Sequence, residues 1–192
     1  MEDQWDTGRL EAFSDGVLAI AITLLVLEIR LPAAEGAGLG SALGAIWPKY
    51  LAYAATFVIV GIMWANHHGL FRLIERVDQG LLLANTLLLA VIAFLPFPSA
   101  VLADHWNDHM ALLLYGGTLT GVALLFNLVW HYARLRGLLR ELAPAVERRI
   151  SSRYVLGPTG YGAAMLLAPF HPAVSLLAWV GLAVTFLVLS YR

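Results

Sequence analysis

RLEAFSDGVLAIAITLLVLEIRLP, residues Arg9–Pro32, opens on a polar cluster of Arg9, Glu11, Ser14, Asp15 and Gly16. It then runs into apolar residues interrupted only by Thr23, and closes on Glu28, Arg30 and Pro32. A helix is expected over roughly Phe13–Leu31. At about 100° per residue with Ile20 as origin, Leu24 falls at about 40°, Leu27 at about −20°, and Phe13 and Leu31 at about 20°. Thr23 stands on the shoulder of that stripe at about −60°, and Asp15 on its back at about −140°. One helix thus carries a narrow aliphatic seam, a hydroxyl beside it and a carboxylate behind it. Such a seam either packs inside one chain or meets its own copies around an axis. The polar cluster sets this helix apart, because a carboxylate beside a membrane helix is costly unless something satisfies it.

Outward from that stretch the composition has one character. Of 192 residues, 60% are hydrophobic and 13% charged, and the mean hydropathy is +0.75. A soluble domain averages about a quarter charged residues and under half apolar ones. The chain is therefore expected to be an all-α integral membrane protein, with its apolar excess spread along its length. A net charge of −1 gives no reason to expect nucleic acid. With no cysteine, disulfides, thiolate metal sites and cysteine nucleophiles are excluded. MEDQWDTG has no basic n-region and no cleavage site before the first span, so no removable signal is expected.

A membrane span needs about 20 mostly apolar residues. After the first span, at about 13–31, Ala33–Ser41 reads as a flexible connection. A second span is expected over about 43–66, entered through Trp47, Tyr50 and Tyr53 as an interfacial aromatic belt. A third covers about 81–102, kinked or ended by Pro96 and Pro98, each of which removes a backbone donor. A fourth covers about 110–132 with Asn127 inside it, and Ala133–Arg153 is a long polar segment. A fifth, about 155–169, is loosened by Gly157, Pro158, Gly160 and Gly162. A sixth covers about 173–191, so residues 1–192 are expected to form one six-span domain.

Six spans put both ends on one side. That side then holds Arg9, Arg72, Arg76, Arg134, Arg136, Arg140, Arg148, Arg149, Arg153 and Arg192, and the other holds Arg30 and Lys49. Ten basic residues against two, out of twelve, places both termini in the cytoplasm of a cell-membrane protein.

Arg9, Phe13, Ser14 and Asp15 form an R-x-x-x-F-S-D arrangement ahead of an aliphatic helix. Trp64, Asn66, His67, His68, Leu70 and Phe71 spell W-x-N-H-H-x-L-F. Together with the span count, these resemble the transmembrane-protein-175 potassium channel family, whose prokaryotic members have this length, so the likeness covers essentially the whole chain. The resemblance implies a homotetramer whose pore is lined by the first helix, without a re-entrant selectivity filter; no T-V-G-Y-G occurs here. It places the constriction at Ile20, Leu24 and Leu27 and the hydroxyl used in potassium preference at Thr23. Permeant potassium, other monovalent cations, membrane lipids and further copies of the chain are the implied partners, with no cofactor and no catalytic residue.

A ring of aliphatic side chains resists ions by dewetting and acts as a gate. Opening widens the rings or turns Thr23 toward the axis. Asp15, on the back of the seam, is expected to join Arg9, Ser14 and a second-span histidine, foremost His67, in a buried polar network; the alternative is that Arg9 and Asp15 are solvated at the mouth. Glu28 either draws cations to the far mouth or is a plain helix-end carboxylate. Asp104, His105, Asp108 and His109 have i, i+4 spacings that suit zinc, or form a solvated turn. A histidine-dependent membrane metalloprotein is the competing class, but the expected topology puts His67 and His68 opposite His105 and His109. A small-ion or proton transporter is the other, although no broken span in one half has a counterpart in the other.

Overall fold

The computed structural model describes residues 7–31, 38–168 and 170–190. Among them the regular structure is helical, apart from one antiparallel bridge between Ile74 and Leu139. The helices are α1 (Thr7–Leu24), α2 (Leu39–Ala45), α3 (Trp47–Phe71), α4 (Gln79–Phe94), α5 (Pro96–Asp104), α6 (His109–Leu135), α7 (Pro144–Leu167) and α8 (Pro172–Ser190). Among the described residues, four runs are long and apolar enough to cross a membrane: Thr7–Glu28, Trp47–Phe71, Gln79–Asp104 and His109–Leu135. Pro32, Pro169 and Tyr191, expected at span ends, and most of the 33–41 connection lie outside the described residues.

The first helix stops earlier than hydropathy suggests. α1 gives way to a 3-10 turn over Leu25–Glu28, and the Ile29 N–H closes it on the Val26 carbonyl at 3.1 Å. With about three residues per turn in that geometry, Leu24 and Leu27 approach one line along the axis instead of splaying. The second long helix overruns its expected end at Asn66. No proline intervenes before Phe71, and His67 stacks on Phe71 one turn later with ring centroids 4.2 Å apart, so the whole W-x-N-H-H-x-L-F stretch is helical.

Proline punctuates the rest. Pro96 ends α4 and opens α5: the Leu95 N–H reaches the Ile92 carbonyl at 3.0 Å, and the missing Pro donors fall in the first turn, where none is needed. α7 starts at Pro144 rather than near Val155, because Pro144 sits at a first-turn position and Glu147 follows in the first turn, against the positive end of the helix dipole. Arg134 pairs with that Glu147. Pro158 lies inside α7 and leaves the Tyr154 carbonyl without its i+4 donor. The Asn127 side chain on α6 donates to that carbonyl at 2.5 Å, which explains an amide in an otherwise apolar helix.

α6 is the centre of the bundle, packed on α4, α5 and α7, while α3 touches α5 and α8, and α1 lies on α3 and α4. Leu81, Leu88, Ile92, Leu112, Leu119, Val129 and Trp130 fill the core. α6 begins at Asp108, whose carboxylate accepts from the Met110 and Ala111 N–H groups at 2.7 and 3.3 Å. It ends in a Schellman turn: Gly137 has φ +64° and Leu138 N–H returns to the Ala133 carbonyl at 2.9 Å. Asp104 is held by Lys49 at 2.9 Å. Both carboxylates of the 104–109 turn are thus engaged, one by an ion pair and one by a helix start.

At the opposite, basic end, Asp78 caps α4 by accepting from Leu81 N–H at 2.8 Å. It also accepts from the Tyr132 hydroxyl at 3.1 Å and pairs with Arg136 at 3.4 Å. A Cβ on Gly80 would meet that hydroxyl at 1.9 Å, so the contact needs glycine. Partial burial pushes the Asp78 carboxyl up, but the Leu81 N–H, the Tyr132 hydroxyl and the Arg136 guanidinium outweigh it and hold the group below its ordinary value.

Candidate functional site

α1 and the 3-10 turn that continues it have two apolar edges with different surroundings. Leu10, Ser14, Leu18, Ala21 and Leu25 are buried against the bundle. On the other edge Ile20 is 61% exposed, Leu24 39% and Leu27 62%, and Phe13 and Thr23 lie open beside them. An aliphatic stripe of this kind, rising past a hydroxyl, offers water few hydrogen bonds and an ion no charge. Thr23 donates to the Ile20 carbonyl at 2.8 Å. Its proton is therefore spent within the helix, and its oxygen lone pairs are left for whatever occupies the open side.

The buried edge is anchored by a polar chain through three helices. Ser14 donates to the Leu10 carbonyl at 2.8 Å and accepts from the Asn85 amide of α4 at 2.9 Å. The Asn85 oxygen lies 2.9 Å from His67 Nε2 of α3; because that oxygen only accepts, Nε2 carries the proton. Ser14, Asn85 and His67 are all fully buried. His67 Nδ1 is buried with no partner among the described residues.

Asp15 is not part of that chain, which corrects the expected Asp15–His67 pairing. It accepts from Trp64 Nε1 at 2.9 Å. Trp64 stacks on His68, centroids 6.3 Å apart, and His68 Nδ1 meets Glu11 at 2.8 Å. The physical reason is angular: Ser14 and Asp15 are about 100° apart on one helix, so only one can point at α4 while the other flanks α3. Arg9 is exposed and, among the described residues, bonds to neither set. Asn66 faces away from both and lines a cavity behind α3.

The signature residues thus divide into a buried triad, an exposed tryptophan–carboxylate clasp, and Asn66 on its own. Asn85 and Glu11 complete the arrangement; the sequence reading names Glu11 in the polar cluster without a role and assigns none to Asn85. The signal for Asn85 was a lone amide in an apolar helix, which demands a partner. No group of three or more metal-ligating side chains is assembled among the described residues.

The sequence profile described as "Endosomal/lysosomal potassium channel TMEM175" matches residues 9–96. A potassium channel of Streptomyces collinus is 44% identical over 176 residues, covering 85% of each chain. The crystal structure of a lysosomal potassium-selective channel TMEM175 homolog from Chamaesiphon minutus superimposes with a TM-score of 0.86 at 39% identity, over 97% of this chain and 98% of that one. The human endosomal/lysosomal proton channel TMEM175 is 33% identical over 150 residues, which is 72% of this chain and 30% of the human protein.

Proposed function

The chain belongs to the TMEM175 family, membrane ion channels and not enzymes, and on that premise we propose that it is a potassium-preferring channel gated by its own first helix. Copies of α1 come together as a homotetramer with the open edges facing the axis. Ile20, Leu24 and Leu27 form stacked aliphatic rings that exclude water, and Thr23 supplies oxygen lone pairs that favour potassium. α7 and α8 complete six spans in a single domain, with both termini in the cytoplasm, where the basic residues gather.

One observation carries this reading. The exposed edge of α1 is as aliphatic as its buried edge, so the chain by itself leaves a pore wall unfinished. A helix lined this way conducts only when several copies enclose an axis. The buried Ser14–Asn85–His67 chain is assigned to holding α1 in register, and the Asp15–Trp64 and Glu11–His68 contacts to clasping its cytoplasmic start. Buried groups joined by hydrogen bonds stiffen the helices that carry them, which suits a gate that must not drift, even though His67 Nδ1 has no partner among the described residues.

The test is potassium against sodium flux in liposomes containing the purified protein. Wild type should favour potassium, and its particle mass in detergent should be that of a tetramer; a strict monomer with no flux ends the proposal. The human relative's name motivates a parallel assay of proton entry. Proton current without potassium current would replace the potassium reading by a proton one.

A further inference from the structure

Pro96 and Pro98 remove two backbone donors where α4 meets α5, so α5 is not held in line by a continuous helical ladder. At the junction Leu95 N–H turns back to the Ile92 carbonyl and Ser99 N–H to the Leu95 carbonyl, at 3.0 and 3.1 Å. Side chains tie α5 down instead. Ser99 Oγ lies 2.9 Å from Thr56 Oγ1 of α3, and Thr56 Oγ1 lies 2.9 Å from the Tyr115 hydroxyl of α6. All three residues are buried. The Tyr115 ring rests on Trp179 of α8, with centroids 5.4 Å apart. At the far end of α5, Asp104 pairs with Lys49 of α3 at 2.9 Å.

This hydroxyl cluster stands at a telling depth. α1 and α3 run antiparallel, in a register set by Asp15 against Trp64 and Glu11 against His68. Thr23 is eight residues beyond Asp15, and Thr56 is eight before Trp64. Each step is about 12 Å at about 1.5 Å per residue, so Thr56 is level with Thr23, where α1 gives way to the 3-10 turn. That turn packs on α3 and α5, the two helices that Thr56 and Ser99 join, and its Leu25 is buried.

We propose that Thr56, Ser99 and Tyr115 are positioning residues for the constriction: their hydroxyl cluster fixes α5, and α5 braces the 3-10 turn that carries Leu27. The inference rests on the reading of α1 as the pore wall and adds what holds that wall from behind. In lipid no water replaces a lost hydroxyl partner, so breaking the cluster frees α5 at the junction where its backbone is already interrupted. The turn then loses its support, and the ring at Leu27 loosens enough to wet.

The chain has no cysteine, so Val26→Cys on the turn takes a single nitroxide label. Its mobility in purified full-length protein is read by electron paramagnetic resonance, without any flux. Thr56→Val keeps the shape and loses both hydrogen bonds, and should loosen the label; Thr56→Ser keeps the hydroxyl and should not. In liposomes of unlabelled protein, Ser99→Ala should raise potassium leak about three-fold and Thr56→Val about nine-fold, at one interhelical hydrogen bond in a membrane for each factor of three. Within Leu27→Asn, where the ring is already wet, Thr56→Val should add nothing further.

A label equally mobile in wild type and Thr56→Val overturns the proposal. So does an unchanged or reduced leak, or a leak that rises by the same factor in the Leu27→Asn background, which would mark a general loss of packing. Wild-type protein that passes no potassium refutes the channel reading itself, and the label then decides alone whether the hydroxyls brace the turn. Should Thr56→Val fail to fold, Ser99→Ala carries both arms with the same outcomes.

Discussion

The two edges of α1 are made of nearly the same residues and obey opposite rules. Leu18, Ala21 and Leu25 are sealed within the bundle, whereas Ile20, Leu24 and Leu27 stand open. Composition does not separate them; partners do. The sealed edge includes Ser14, which is tied to Asn85 and through it to His67, while the open edge has only Thr23, turned onto its own helix. One edge is held by the fold, and the other stands open, which is the edge we propose to face further copies of the chain.

Mutations that separate the two edges put that contrast at risk. The largest effect should come from Leu18→Ala, which removes buried volume and should lower stability by about 2–5 kcal/mol, read as an earlier loss of helical signal on heating in detergent. Next comes Asn85→Ala, which orphans Ser14 and His67 together and should cost about 1–3 kcal/mol; no shift in melting would show that the polar chain does not hold α1. Ile20→Asn belongs to the other edge. It should leave melting within about 0.5 kcal/mol of wild type yet raise leak at least about ten-fold, equivalent to about 1.4 kcal/mol off the barrier.

Asp78→Ala tests the support of α4, which carries Asn85. Loss of the cap should cost about 1 kcal/mol at neutral pH. The sign with pH follows from the lowered carboxyl: its contribution is present above the ordinary carboxylate value and disappears as pH falls through the depressed folded value. Wild type and variant should therefore converge only in strong acid, and a gap unchanged at every pH would mean that ionisation plays no part. The smallest effect is expected of Thr23→Ala, about a three-fold loss of potassium preference, worth about 0.6 kcal/mol on the same scale, with leak and melting unchanged.

Much of this was legible before any coordinates. The period of α1 separates Ile20, Leu24 and Leu27 from Asp15, and prolines 96 and 98 announce a break. What could not be read was pairing across helices. Trp64 and His67 are three residues apart on one helix, and nothing in their spacing tells which meets Asp15; the choice is made by where α4 delivers Asn85. The 3-10 turn at Leu25–Glu28 was equally hidden, because a run of leucine and valine scores alike in either winding. The start of α7 is not legible, because its charged first half reads as solvent-exposed connection, while Pro144, Glu147 and the Arg134 pairing make it helix.

The amide that Asn127 lends to the Tyr154 carbonyl sets an order on how these two helices can change over time. If Asn127 is exchanged first, a bare carbonyl is stranded in an apolar setting where water cannot rescue it. If Pro158 is exchanged first, for alanine, the backbone regains its own donor and the amide becomes dispensable. Drift can therefore dismantle this pair through one door only, and sequences descended from such a chain should show asparagine without the proline far more often than the proline without asparagine.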